Sequence, residues 1–195
     1  MLNATPYEVI AAPFTAYLGD VGAVFPGVGD TPNPAVWTLV GSSGNLNYDD
    51  AGVKVEHKQT IVEWRSLGDS GTRKVFRSTE GLVISLELVD VTLEQYALAL
   101  NGNAVTPATG EVKVGLSRGL TVDTRALLVR GPSPYVADGA MQFEVPIAVQ
   151  TSSPQVIFKR DDPAGLALEW TALVDPDAAS DDERFGRLVA ETSET

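Results

Sequence analysis

Residues Val83 to Gly102 read V-I-S-L-E-L-V-D-V-T-L-E-Q-Y-A-L-A-L-N-G, and the repeat period changes partway through. Leu82, Ile84, Leu86 and Leu88 alternate with Val83, Ser85, Glu87 and Val89, the period of two that a β-strand gives. From Thr92 the period becomes that of a helix, with Leu93, Tyr96, Ala97 and Leu100 as the apolar stripe expected to face the core. Thr92 and Gln95 have capping-box spacing, and Asn101-Gly102 supplies a left-handed stop, so the helix is expected over about residues 92–101. A strand feeding directly into one helix is a scaffold, not a catalytic motif.

Strand patterns surround it. Residues 52–66 alternate, but Val53 and Val55 share one parity while Val62 and Trp64 share the other, which predicts a bulge near Gln59-Thr60. After a turn at 67–72 the chain returns over 73–77 and 80–90 as an antiparallel meander. Further strands are expected at 35–41, 111–117, 125–130, 140–151, 155–160 and 165–174. Within 140–151, Met141, Phe143, Val145, Ile147 and Val149 oppose Gln142, Glu144, Pro146, Ala148 and Gln150, and Pro146 implies an edge or a bulge. The fold class is mainly β: an antiparallel β-sandwich or barrel with one flanking α-helix, assembling through sheets shared between subunits.

Residues 1–34 carry Pro6, Pro13, Pro26, Pro32 and Pro34 and read as an extended arm followed by a long loop, 19–34, of the kind that contacts a neighbour. No internal repeat or linker divides residues 1–174, so they are taken as one domain. Residues 175–195 hold seven acids against Arg184 and Arg187, net −5 out of −12 for the 195-residue chain, and read as a frayed or partner-dependent acidic tail. The sign reverses between Lys54 and Arg77, where six bases face three acids.

These facts exclude several classes. A net charge of −12 makes the chain a poor grip for phosphate backbones. No apolar run approaches the roughly 20 residues that span a bilayer, so no membrane partner is expected, and no basic-then-apolar leader opens the sequence. With no cysteine there is no thiol nucleophile and no thiolate metal site. His57 is the one histidine, without a recognisable base-and-orienter pairing. No calcium loop is complete around the acids at 175–183. An enzyme is not expected, nor a cofactor or metal.

From Trp37 to Gly102 the chain resembles the major tail tube proteins of long-tailed, siphovirus-type bacteriophages. The resemblance is carried by W-T-L-V-G at 37–41, N-L-N-Y-D-D-A-G-V-K-V at 45–55, the strand at 60–64 and the strand-helix unit at 86–102. It implies a structural virion protein, made in the host cytoplasm, whose hexameric rings stack into a tail tube through which DNA is ejected without specific binding. Tape-measure and tail terminator proteins are the other partners it implies. On that reading Glu56, Glu63, Glu87, Gln142 and Glu144, each opposite an apolar position, are the candidate lumen-facing residues. Two alternatives stay open: a carbohydrate- or surface-binding β-sandwich module, and the tube protein of a contractile injection system. A binding module would expose aromatics along one sheet face, whereas Trp37, Trp64 and Trp170 all sit in apolar alternations and are expected to be buried.

Overall fold

The computed structural model describes residue 10 and residues 12–192, apart from 159 and 162. Strands β1 (Thr15–Asp20), β2 (Thr38–Leu39), β3 (Lys54–Trp64), β4 (Lys74–Leu88), β7 (Thr124–Pro132), β8 (Ala140–Gln150), β9 (Leu166–Ala172) and β10 (Arg187–Ala190) make one antiparallel sheet. Its order is β2-β1-β7-β8-β9-β4-β3, with β10 added beside β8. A separate hairpin, β5 (Val105–Ala108) with β6 (Glu111–Val114), follows the single α-helix, α1 (Leu93–Ala99). The mainly β fold with one helix is as the sequence implied.

The sheet folds onto itself through β8. One edge of β8 pairs with β7 along nearly its whole length; the other pairs with β10 over Met141–Glu144 and with β9 over Ala148–Gln150. Pro146, which has no N–H to give, lies between those two pairings, where the β7 register also shifts between Arg125 and Leu127. The two halves enclose the core. Ala16 and Leu18 of β1 and Leu127 and Val129 of β7 meet the alternating residues of β4 (Leu82, Ile84, Leu86, Leu88) and of β9 (Leu166, Leu168, Trp170) in one cluster.

Helix α1 closes one side of this core. Thr92 is its N-cap, accepting the Gln95 amide at 3.4 Å, and Asn101 and Gly102 both adopt positive φ, with the Gly102 amide donating to Ala97 at 2.9 Å. The expected capping box is only half made. Gln95 is buried and its Oε1 accepts the Gly41 amide at 2.8 Å, while the Thr92 amide goes to Asp90. Partial burial alone would raise the Asp90 pKa, but hydrogen bonds from Ser42 and Thr92 outweigh it and hold the carboxyl below its ordinary range. Ala97 and Leu100 are buried and Tyr96 packs on the core; Leu93, at the first turn of a two-turn helix, is only half-buried.

Several sequence expectations need correction. The stretch 1–34 is not all arm and loop: Thr15–Asp20 is an internal strand between β2 and β7. Residues 1–9 lie outside those described. The loop after it folds over its own sheet, where Trp37 and Phe25 pack with centroids 5.0 Å apart above Ala126 and Leu128. The strand expected over 35–41 shrinks to Thr38–Leu39, and none forms over 155–158. Nor is the acidic tail frayed as far as residue 192. The Asp175 amide donates to Arg184 at 2.8 Å, Phe185 packs on the core, Arg184 pairs with Glu80, and β10 pairs with β8.

Tyr48 joins the two ends of the domain. Its hydroxyl donates to the Val40 carbonyl at 2.8 Å and accepts the Ala16 amide at 3.0 Å, and its backbone bridges to Leu88. Burial pushes its pKa from 10.0 up to about 12. Since the folded value is raised, the stabilisation is complete below the ordinary value of 10.0 and is lost as pH climbs through about 12. Tyr48→Phe, which strands a buried amide and carbonyl, is expected to cost about 1–3 kcal/mol at neutral pH. In chemical denaturation, that gap to the parent should narrow across the alkaline window, because only the parent carries this titration.

Candidate assembly surface

β4 is fifteen residues long, but only Val83–Leu88 pairs with β9; its other side is taken by β3 as far as Ser85 and by the 47–49 segment beyond it. From Lys74 to Glu80 it pairs with β3 alone, and the outer edge of β3 has no partner among the described residues. Nine residues separate Val83 from Lys74, so this two-stranded arm runs about 30 Å past the last contact with β9. An isolated two-stranded hairpin is marginal in water, and an unpaired eleven-residue edge is a template for another chain.

The arm is apolar on both faces. Paired residues share a face, which puts Val62 with Phe76 and Trp64 with Lys74 on one, and Ile61 with Arg77 and Glu63 with Val75 on the other. Ile61, Val62, Trp64, Val75 and Phe76 are each 46–54% exposed, and the Lys74 ammonium lies 4.9 Å from the Phe76 ring centroid. Covering the exposed half of each side chain would contribute about 1 kcal/mol per residue. A single copy therefore leaves several kcal/mol of burial unrealised.

Trp64 corrects the expectation that all three tryptophans are buried: Trp37 and Trp170 are 3% exposed, Trp64 51%. The register does shift, between Thr60 and Ile61, close to the place the sequence indicated. The extra residue is Ser78, on β4, whose hydroxyl donates to the Thr60 carbonyl at 3.2 Å. β3 itself keeps its alternation, so Val62 and Trp64 stay on the face opposite Val55 and never turn toward the core.

The five carboxylate and amide candidates separate into three groups. Glu56 and Glu87 are exposed and share the sheet face opposite the core, Glu56 beside Val83 and Glu87 beside Ala167. Glu63 is exposed too, but on the arm, where hydrogen bonds from Thr72 (2.8 Å) and Arg65 (3.1 Å) hold its pKa low. Gln142 and Glu144 do not face an open channel; they are 0% and 4% exposed. They do point away from the core, as the alternation required, but that face is covered. Gln142 donates to the Pro26 carbonyl (2.8 Å) and to Glu144 (2.6 Å), and Glu144 accepts from Arg187 of β10 at 2.7 Å. That hydrogen bond and the Glu144 charge raise the Arg187 pKa further. Sequence reasoning missed the arm as an exposed surface, although its clustered bases marked it. Among the described residues, no group of three His, Cys, Asp or Glu is placed to hold a metal ion, and no helix is long and apolar enough to cross a membrane.

No family model and no curated protein matches this chain. Its fold is similar to that of a chain in the cryo-EM structure of the anti-feeding prophage (AFP) baseplate, six-fold symmetrised. The two share 8% sequence identity with a TM-score of 0.52, over 99% of this chain and 100% of that one. At that identity the likeness is one of fold, and it spans nearly the whole of both chains.

Because Trp64 is the one exposed indole, acrylamide should quench a red-emitting component of the single-copy fluorescence that Trp64→Phe removes. Wherever the arm becomes covered, that component should shift to the blue.

Proposed function

We propose that this chain is a ring-forming structural subunit of a phage-type tail, with no catalytic role, and specifically the subunit of the tube. The observation that carries this reading is the arm: an eleven-residue open edge with half-exposed apolar residues on both faces of one two-stranded ribbon. Such an arm gains stability only between neighbours. The fold likeness to a six-fold-symmetrised baseplate chain supports repetition around an axis, as does the resemblance of residues 37–102 to tail tube proteins. In this reading the rings are hexamers, and tape-measure and terminator proteins meet the ends of the stack.

The lumen wall is the sheet face opposite the core, bearing Glu56, Glu87 and Glu169 with Thr60, Thr79 and Thr171. Hydroxyls and carboxylates there offer duplex DNA no strong hold, and repulsion acts over about 8–10 Å at ordinary salt. The baseplate likeness favours a second reading, a ring at the tube end of a contractile injection system. Polymer length separates the two, because a tube subunit grows into long stacks by itself and an end ring does not. Exposure of Trp64 and Phe76 would also suit a carbohydrate platform. Ile61 and Val75 on the reverse of the same arm would not, since a sugar covers one face only.

Negative-stain microscopy of the purified protein should show rings or tubes of uniform diameter. Trp64→Glu with Phe76→Glu should abolish them while leaving the melting temperature within a few degrees, since the arm lies outside the core. A monodisperse single copy at high concentration across several salts would refute the reading. In assembled tubes, Glu56→Lys with Glu87→Lys should retain duplex DNA at low salt and release it at high salt; if such tubes ignore DNA, that face is not the lumen.

A further inference from the structure

The arm is basic as well as apolar, and elsewhere the surface offers its complement. Beyond the bulge the arm carries Arg65, Arg73, Lys74 and Arg77 against Glu63 and Asp69, on a chain whose net charge is −12; Arg65, Arg73 and Arg77 make exposed pairs with Glu63, Asp69 and Glu80, and Lys74 lies over Phe76. The turn of chain after β9 helps to form a cavity of about 230 Å³ lined by Phe25, Pro146, Asp175, Asp177, Ala179 and Glu183, among others. Glu144 and Arg187 line it too, and the Glu183 charge acts on Arg187, whose ion pair is with Glu144; among the described residues none of Asp175, Asp177 and Glu183 has a cation within ion-pair distance. No residue of β3 or β4 lines this cavity in its own copy.

We propose that the tip of the arm of one copy docks in this cavity of a second copy. Trp64 and Phe76 meet Phe25, Pro146 and Ala179, while Arg73 and Lys74 face Asp175, Asp177 and Glu183. The inference rests on the ring-forming reading and specifies its contact. The two patches differ, so the contact is head-to-tail, and a head-to-tail contact is the kind that closes into a ring. Apolar anchors supply the affinity, as buried aromatics do at interfaces generally. The charges, exposed and individually weak, set register and select the partner. They also give the strongly acidic copies their one attractive approach to each other.

Complementary charge reversal tests this. Arg73→Glu with Lys74→Glu makes the arm acidic, and Asp177→Lys with Ala179→Lys makes the cavity rim basic; all four positions are exposed. Each double variant alone should need at least tenfold more protein to assemble at low salt. Mixed in equal amounts the two should assemble like the parent, because each arm then finds an opposite cavity in alternation around an even-numbered ring. Should either variant assemble like the parent, or the mixture do no better than its parts, the docking is overturned while the ring-forming reading stands. Failure of the unsubstituted chain to assemble overturns both. Should a double variant misfold, cysteines provide a second route, since the chain has none of its own. Lys74→Cys chains co-assembled with Asp177→Cys chains should give a mixed disulfide dimer on mild oxidation, and its absence from assembled particles refutes the contact.

Discussion

The pairing of Val83–Leu88 with Leu166–Thr171 is the constraint on which the rest of this structure depends. It satisfies one edge of β4 over six residues and sets Ile84, Leu86 and Leu88 beside Trp170, Leu168 and Leu166 on one face, so the core is centred there. It also ends abruptly. Past Val83 the strand keeps one neighbour instead of two, and its side chains pass from buried to exposed within a few residues. The domain is thus stable where β4 is a middle strand and reactive where it is half of a free hairpin. One strand serves both as the centre of the fold and as its outreach.

Polar groups buried on the opposite face serve a different end. Gln142 and Glu144 lie beneath the 24–30 loop, and the Glu144–Arg187 pair fastens the last described strand beside β8. Glu144 is buried while Arg187 keeps half its side chain in solvent, so the pair specifies register more than it stabilises. Arg130 donating to the carbonyls of Val28 and Asp30 has the same role for the loop. These fastenings cover in one copy what would otherwise be a second sticky face.

What the sequence made legible was local. The strand-helix unit, its Thr92 cap and Asn101-Gly102 stop, an irregularity of register near Thr60 and the awkward place of Pro146 all follow from neighbours within a few residues. What stayed hidden was set at long range. Thr15–Asp20 is a six-residue alternation that uses Ala16 and Leu18 as its only core residues and sits among prolines, so its signal is faint. The alternation correctly turned Glu144 away from the core, yet could not reveal that Arg187 of β10, more than forty residues later, would pair with it. Trp64 was misjudged because a phase slip in β3 has two explanations. Either β3 bulges and its later residues turn inward, or its partner bulges and they do not. Only the partner's register decides between them.

That extra residue, Ser78, has a geometric meaning. A bulge bends its strand and increases the local right-handed twist. The outer third of the arm is therefore rotated out of the plane of the sheet it springs from. A second chain laid along that edge inherits the rotation, and a third compounds it. Endless flat stacking, the usual fate of an exposed apolar strand, is sterically discouraged, while a curved array that returns to its starting point is not. On the ring-forming reading, this one-residue insertion supplies a curvature that a flat fibre lacks.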